Sequence, residues 1–228
     1  MKKFFLLPII TLLSLTSCLL FAPQTESPLE ALPPTSPPAD LTQFQNGLAE
    51  EYHPILDELT HASIYVIDYV IADDLYHIDG RQTVTYTNAE DVPLNEVNFR
   101  LFPNILGGEM SVENLTVNET AVAPKYSFNN SLLTVPLATP LQPNQSVTIR
   151  MDFKITVPQS VDLNYGVQAY YNNVLALAHA YPMIPVYDDE GWNVEIPPQA
   201  GDVTYADMSF FIVTVDAPKE VTLVGSGV

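Results

Sequence analysis

Residues 147–157 alternate strictly between apolar and polar side chains. The apolar positions are Val147, Ile149, Met151, Phe153, Ile155 and Val157. Successive side chains of a β-strand point to opposite faces, so this run predicts a strand with one buried and one solvated face. That combination is typical of antiparallel sheets that cover a core on one side.

The same period of two recurs from Ala62 onward. A second alternating run contains Val97, Phe99 and Leu101. Segments 63–71 and 208–215 are apolar on both faces, which predicts two central strands. The alternation changes phase near Asn114, which predicts a bulge or a turn. Turn signals separate these runs at intervals of about ten residues, so the sequence predicts a mainly β fold, an antiparallel sandwich or saddle-like sheet.

The N-terminus combines a basic start with a short apolar run. Lys2 and Lys3 precede the almost wholly apolar segment 4–15. About a dozen apolar residues are too few to span a bilayer core of about 30 Å, and they fit the apolar region of a secretory signal. The sequence Leu15-Thr16-Ser17-Cys18 that follows resembles the bacterial lipobox.

Cys18 is the sole cysteine, so the sequence allows no intramolecular disulfide and no cysteine-based zinc cluster. The lipobox resemblance implies that the signal peptide, residues 1–17, is removed and that Cys18 carries a lipid. We therefore expect an extracytoplasmic lipoprotein of the cell envelope, anchored to a membrane through that lipid. An ordinary signal peptide cleaved near Ala22 is the alternative.

Prolines mark the region after the signal. The chain has 20 prolines, and they crowd between Pro23 and Pro38. Such a composition favours an extended, semi-rigid spacer, so residues 18–48 are interpreted as a Pro-rich tether. Residues 49–60 are interpreted as a short helix that contains Pro54. The predicted β domain occupies residues 61–228.

The charge of the chain argues against one class of partner. Acidic residues outnumber Lys and Arg by 27 to 8, which gives a formal net charge of −19. Nucleic-acid binding requires clustered Lys and Arg at the phosphates, so nucleic acid is not an expected partner.

Known catalytic motifs are missing from the sequence. None of the four histidines belongs to an HExxH or HxH motif, and no GxSxG, P-loop or GxGxxG is present. A hydrolase built from dispersed acids would need residues such as Asp188 and Asp189. Adjacent acids in an extended chain point to opposite faces, which argues against paired acid–base catalysis. No catalytic or metal-binding residue is predicted in this chain.

Segment 165–201 departs from the alternating pattern. It is dense in Tyr, Trp, Pro and Asp, which predicts an ordered loop or hairpin, and its apolar run 174–178 is predicted to be buried. The acidic run 188–190 lacks the alternating oxygen ligands of a calcium loop and is interpreted as a solvated turn.

Several segments, in their order, resemble a known family. They are Ile78-Asp79-Gly80, Phe99-Arg100-Leu101-Phe102-Pro103-Asn104, Tyr181-Pro182-Met183 and Val186-Tyr187-Asp188-Asp189-Glu190-Gly191-Trp192. From about His61 to Val228 the chain resembles the N-terminal domain of M1-family zinc metallopeptidases (aminopeptidase N-like), particularly bacterial secreted or lipoprotein members. Each motif alone is weak, and the resemblance rests on their order and spacing.

This resemblance implies a saddle-shaped β domain packed against a thermolysin-like catalytic domain. In the family, that second domain carries the GxMEN and HExxH motifs, and it holds Zn²⁺ and cleaves N-terminal residues from a peptide substrate. Neither motif occurs here, so we expect the chain to stop before its catalytic domain and to lack activity alone. The resemblance also implies that the N-terminal domain forms one wall of the substrate cleft, although no substrate-binding position can be assigned by motif. The candidate for its cleft-facing edge is the loop with His179, Tyr181, Tyr187, Asp188 and Trp192.

A free-standing protein is the alternative interpretation. It would be a lipoprotein β-sandwich that binds a ligand or a protein partner through the aromatic loop 165–201. The two interpretations differ in one physical expectation. A part of a larger enzyme should expose the apolar surface that meets the remainder, whereas a complete sandwich should not.

Overall fold

A computed structural model describes Leu29 and residues 40–163, 165–196 and 204–227 of the 228-residue chain. The predicted lipidation site Cys18, the signal peptide and most of the tether lie outside the described residues. Among the residues that are described, no helix combines the length and hydropathy needed to cross a bilayer.

Short 3₁₀ helices and β-strands make up the described chain. The helices are Thr42–Gly47, Glu50–Asp57 and Phe102–Ile105. The strands are β1 (Ser63–Ile71), β2 (His77–Thr87), β3 (Leu94–Arg100), β4 (Glu109–Val117), β5 (Thr120–Ala121), β6 (Lys125–Ser127), β7 (Leu132–Leu141), β8 (Ser146–Thr156), β9 (Gln168–Tyr171), β10 (Val174–Leu177), β11 (Tyr187–Asp188), β12 (Gly191–Trp192) and β13 (Ser209–Asp216). The prediction of a mainly β fold with antiparallel sheets is confirmed.

The larger sheet, sheet A, has six strands in the order β13-β1-β2-β8-β4-β5. Its pairs are antiparallel except β1–β13, which is parallel. Residues that face each other across neighbouring strands share one face, and the β2–β8 register places Val84 opposite Ile149. The alternation of 147–157 therefore forms part of a single apolar face that continues across the sheet.

Sheet B has three strands in the order β3-β7-β6 and supplies the second apolar layer. Val97 and Phe99 of β3 and Leu133 and Val135 of β7 are fully buried and belong to the same hydrophobic cluster as the apolar face of β8. Burial in β8 alternates as its sequence predicts, with Phe153 fully buried between two more exposed neighbours. The core is thus the space between the two sheets.

The phase change near Asn114 is a real irregularity in β4. The β4–β8 register shifts between Glu113 and Thr116, and Asn114 has a φ of 51°. This conformation belongs to the left-handed region, which Asn tolerates better than most residues do. The prediction of a bulge or turn is confirmed.

Two predictions about burial are wrong. Segment 208–215 was expected to be a central strand, but among the described strands β13 lies at the edge of sheet A. Its sequence is apolar on both faces because Phe44 stacks on Phe210 on one side, with ring centroids 4.5 Å apart, while the other side continues the core face. The run 174–178 was expected to be buried, but Val174 in β10 is 64% exposed.

Candidate functional site

Every side chain that the sequence suggested for a cleft edge lies between residues 179 and 192. This part of the chain follows the β9–β10 hairpin and ends in the short β11–β12 hairpin. Between the hairpins, residues 180–184 contact both sheets, and we call them the 180–184 segment.

Sheet A holds the 180–184 segment through side chains of its inner face. Three buried residues of β1 and β2 bond its backbone: Tyr69 Oη donates to the Ala180 carbonyl (3.1 Å), Gln82 Nε2 donates to the Pro182 carbonyl (2.9 Å), and Tyr65 Oη accepts from the Ile184 N–H (3.1 Å). Irregular backbone in a core needs such partners, because an unpaired buried peptide group costs about 1–3 kcal/mol. The segment is therefore fixed at alternate positions along its length.

Sheet B holds the same segment from β3. The Arg100 N–H donates to the Met183 carbonyl at 2.6 Å, and the Met183 N–H donates to the Arg100 carbonyl at 3.1 Å. These two bonds form an antiparallel bridge between β3 and the segment. Both sheets thus fix residues 180–184, so the loop that carries the candidate residues is built into the core.

The Arg100 guanidinium is the centre of a buried hydrogen-bond network. Only 3% of Arg100 is exposed, and its Nη1 donates to Ser131 Oγ at 3.1 Å. Its Nη2 donates to the carbonyls of Val194 and Glu195. Burial lowers the pKa of Arg100, while the nearby Glu195 acts in the opposite direction. Arg100 consequently ties the end of the β11–β12 region to sheet B.

His179 precedes the segment in a left-handed conformation, with a φ of 55°. Its Nε2 is 2.7 Å from Thr204 Oγ1, and its ring centroid is 5.0 Å from that of Phe102. Burial lowers the pKa of His179. A half-buried imidazole with a hydroxyl partner favours its neutral form, so this side chain links two segments as a neutral group.

Tyr181 lies in an aromatic cluster on the core face of sheet A. Its ring is 5.5 Å from Tyr65 and 5.6 Å from Phe211, edge to face in both pairs. Burial raises the pKa of Tyr181 to about 12. The phenol is therefore neutral at physiological pH and can act only as a neutral donor or acceptor.

The other candidates form a second cluster on the β11–β12 hairpin. Trp192 packs edge to face on Tyr187, at 5.2 Å, and lies 5.9 Å from Tyr86 of β2. Asp188 accepts bonds from Asn193 Nδ2 (2.8 Å) and the Glu190 N–H (2.9 Å), and these bonds lower its pKa. Asp188 is thus an ionised turn residue that stabilises the hairpin.

The structure separates the five candidates into these two groups. His179 and Tyr181 flank the start of the 180–184 segment, whereas Tyr187, Asp188 and Trp192 belong to the hairpin. Sequence reasoning missed Arg100, because it occupies a polar position of the alternating run 97–101, where a solvated side chain is expected. It also missed Tyr65 and Gln82, whose role depends on a segment about 100 residues away.

Acidic groups lie near the second cluster. Burial raises the pKa of Glu90, and the negative charges of Asp207 and Asp189 raise it further. Burial also raises the pKa of Asp207. Within the described ranges, His, Asp and Glu side chains form no group of three that could hold a metal ion, so these residues do not fit a zinc site.

Comparison with known proteins gives partial matches. No family model matches the chain, and no curated protein sequence matches it. Solved structures similar to it include a mutant M1 zinc metallopeptidase from Deinococcus radiodurans, with a TM-score of 0.47 and 18% identity over 69% of this chain and 33% of the other. The same mutant with a bound Tyr-Ser-Ala substrate gives 0.45 and 19%, over 69% and 33%. A two-domain M1 zinc metallopeptidase mutant with bound L-tryptophan gives 0.36 and 22%, over 44% and 22%.

These structural neighbours are M1 zinc metallopeptidases at low identity and partial coverage. This chain spans about a third or less of their length. At these scores and identities, the likeness carries no inference about activity.

Proposed function

We propose that this chain is the non-catalytic N-terminal β portion of an M1-type zinc metallopeptidase, secreted and anchored to a membrane through Cys18. In this proposal the complete enzyme removes N-terminal residues from peptides, and its zinc-binding domain lies outside this sequence. Support comes from the order of the family-like segments and from the surface of β13.

The inner face of β13 carries the proposal. The register pairs Phe211 with Tyr65, Val213 with Ile67, and Val215 with Tyr69, so both rows share the core face of sheet A. The three β1 residues are buried, yet Phe211, Val213 and Val215 are 43%, 51% and 37% exposed. We call these three residues the β13 row. A row that continues a hydrophobic core into solvent is typical of an interface.

The free edge of β13 supports the same interpretation. β13 ends sheet A, and among the described residues no strand pairs with its outer edge. Soluble proteins usually protect such edges with Lys, Pro or a bulge. Residues 209–216 contain none of the three, because the register is continuous and the sequence is SFFIVTVD. A second domain that covers this edge and the β13 row would bury both the unpaired strand backbone and the exposed apolar side chains.

The candidate loop adjoins this surface. Tyr181 contacts Phe211 at 5.6 Å and belongs to the stretch fixed by both sheets. A domain that covers the β13 row would therefore approach Tyr181 and its neighbour His179. This proximity favours the interpretation that residues 179–181 lie at the edge of a cleft between two domains.

The free-standing alternative also has one observation in its favour. The β9–β10 hairpin exposes apolar side chains, including Tyr171 at 49% and Val174 at 64%. Exposed aromatic and apolar residues at a hairpin tip can bind a protein partner. This surface would serve a complete lipoprotein that recognises its partner through loop 165–201.

The coding sequence downstream of Val228 gives the decisive test. The proposal expects an open frame that encodes GxMEN and then HExxH, and zinc-dependent release of N-terminal residues by the extended protein. A stop codon directly after Val228, with neither motif in any downstream frame, would overturn it and leave the free-standing lipoprotein.

Membrane anchoring has its own test. Cells that express the chain should incorporate radiolabelled palmitate into it and retain it in the membrane fraction. Cys18→Ser should abolish both, since the thioether forms only on a cysteine thiol. Labelling that persists in Cys18→Ser would contradict the lipid anchor without affecting the metallopeptidase proposal.

A further inference from the structure

A cleft separates the N-terminal 3₁₀ helices from the outer face of sheet A. Phe44 stacks on Phe210, and Leu56 is 5% exposed, so the N-terminal segment packs against the sheet. Between these contacts and the ends of β1, β2 and β8 lies a space of about 670 Å³, which we call the outer cleft. Small-molecule sites typically occupy about 300–1,000 Å³. The outer cleft lies on the face of sheet A opposite the β13 row.

The ionisable side chains that line the outer cleft determine which ligand charge it favours. Among the described residues, its ionisable lining groups are Asp40, Asp57 and His53, and none is Lys or Arg. The carboxylates belong to different structural elements, since Asp40 precedes the first 3₁₀ helix and Asp57 ends the second. The two carboxylates outnumber the single imidazole, so the lining disfavours an anionic ligand and favours a cationic one.

Hydroxyl groups form the side of the cleft that belongs to the sheet. Thr85, Thr87 and Ser146 line it, and Thr87 Oγ1 lies 2.8 Å from Ser146 Oγ. A hydroxyl can accept as well as donate, and a carboxylate only accepts. A primary ammonium has three donors and no acceptor, so its needs match this set of oxygens. A quaternary ammonium would leave the oxygens without a donor.

Apolar groups complete the lining. Pro54 and Leu56 from the second 3₁₀ helix and Ile64 from β1 line the same space. An apolar substituent on the ligand would bury apolar surface against these side chains, which favours binding. The cleft thus combines an apolar wall with hydroxyl and carboxylate oxygens.

We propose that the outer cleft binds a primary ammonium that carries an apolar substituent. Two sources offer this chemistry: the N-terminal residue of a peptide with an apolar side chain, and a free alkylamine. The inference goes beyond the proposed function, because the outer cleft lies on the opposite face from the β13 row and requires no second domain.

Calorimetric titration of the purified full chain with four probes tests the proposal. The probes are L-leucinamide, isoamylamine, N-acetyl-leucinamide and glycinamide. We expect leucinamide to bind, the acetylated probe to bind at least about tenfold more weakly because it has no charge, and glycinamide to bind more weakly because it lacks the apolar group. Isoamylamine distinguishes the sources: equal affinity indicates a free amine, and weaker affinity indicates a peptide N-terminus.

Variants localise the binding. The double variant Asp40→Asn with Asp57→Asn should weaken leucinamide binding by about tenfold or more. Thr85→Val should weaken it by about threefold, because it removes one neutral hydrogen bond. Asp73→Asn is the matched control, an exposed acid in the β1–β2 turn outside the cleft. Three results would overturn the proposal: no measurable leucinamide binding, equal binding of the acetylated probe, or equal weakening by Asp73→Asn. The last would indicate general attraction to an acidic surface.

Discussion

The rings of Tyr65 and Phe211 stack with centroids 5.0 Å apart and planes 10° from parallel. Tyr65 is 2% exposed, whereas Phe211 is 43% exposed. One ring pair therefore marks the boundary where the core face of sheet A passes into solvent. Tyr181 packs against both rings, so the candidate loop begins at the same boundary.

The first prediction concerns the β13 row. Phe211→Ser combined with Val213→Thr should lower dye binding and self-association of the isolated chain, because both changes remove exposed apolar surface. Val174→Thr, on the exposed β10 strand, is the control and should change neither. ANS fluorescence and sedimentation velocity measure the effects. If Val174→Thr is as effective as the double variant, the β13 row is not the main association surface.

Gly80 tests the packing of the core. An added Cβ at this position would lie 2.1 Å from ring carbons of Phe153, its partner in the β2–β8 register. Gly80→Ala should therefore lower the free energy of unfolding by about 1–3 kcal/mol, the typical cost of overpacking. Phe153→Leu in the same chain should recover part of that loss.

Gly225 provides the control for that substitution. A Cβ there would meet no atom within 4 Å. Urea unfolding of Gly225→Ala should thus stay within about 0.5 kcal/mol of the parent chain. Equal stability of the Gly80 and Gly225 variants would contradict the close contact with Phe153.

Arg100 should be a stability determinant despite its charge. Arg100→Met leaves the carbonyls of Val194 and Glu195 without their buried donor and should cost about 3 kcal/mol. Arg100→Lys should also destabilise, because one ammonium cannot reproduce the planar fork of donors. Arg150→Met, on the exposed face of β8, should cost less than about 0.5 kcal/mol.

Hydrogen exchange gives a readout specific to this network. The Met183 N–H donates to the Arg100 carbonyl, so loosening of the 180–184 segment should speed its exchange. Faster exchange at Met183 in Arg100→Lys than in Arg150→Met is expected. Unchanged protection at Met183 would mean that the guanidinium does not support the segment.

His179 should make stability depend on pH. Burial lowers its pKa in the folded state, so the unfolded state binds more protons as the pH falls. Its contribution to stability is present above the unfolded pKa of about 6.5 and is lost as the pH falls from about 7 through the lower folded pKa. His179→Asn should flatten this part of the profile, and Asn suits the left-handed backbone at this position.

An exposed histidine serves as the control for the pH profile. His61 lies outside the candidate loop and bonds Asn144 Oδ1 at 2.9 Å. His61→Asn should retain the loss of stability that His179 causes as the pH falls below about 7. Thermal unfolding at a series of pH values compares the two variants. A profile that His179→Asn leaves unchanged would contradict the role of its burial.

The local sequence predicted the structure correctly where each face of a strand is buried or exposed in the same way along its whole length. β8 alternates in burial as its residues alternate in polarity, and the shift near Asn114 appears in the sequence as a change of phase. Both signals are local, since the period of side chains along a strand is fixed by backbone geometry. The candidate loop was recognised only as aromatic and ordered, because its partners come from β1, β2 and β3.

β13 shows why the remaining features could not be predicted. Apolar residues on both faces of a strand predict a central position in a sheet, and segment 208–215 was interpreted as a central strand for this reason. In the structure one face meets Phe44 and the other is exposed at the edge of the sheet. Composition cannot distinguish a strand that its own domain buries on both faces from an edge strand with an exposed apolar face, because both consist of the same kinds of residue.

The sequence by itself determined the β class, the alternating strand at 147–157, the irregularity at Asn114 and the strongly acidic net charge. Only the tertiary structure decided that β13 pairs with β1 in parallel at an edge, that both sheets hold residues 180–184, and that the five candidate residues form two groups. The physical reason is distance along the chain. The periodicity of a strand is visible in a few neighbouring residues. The hydrogen bonds of Tyr65, Gln82 and Arg100, in contrast, join residues about 100 positions apart.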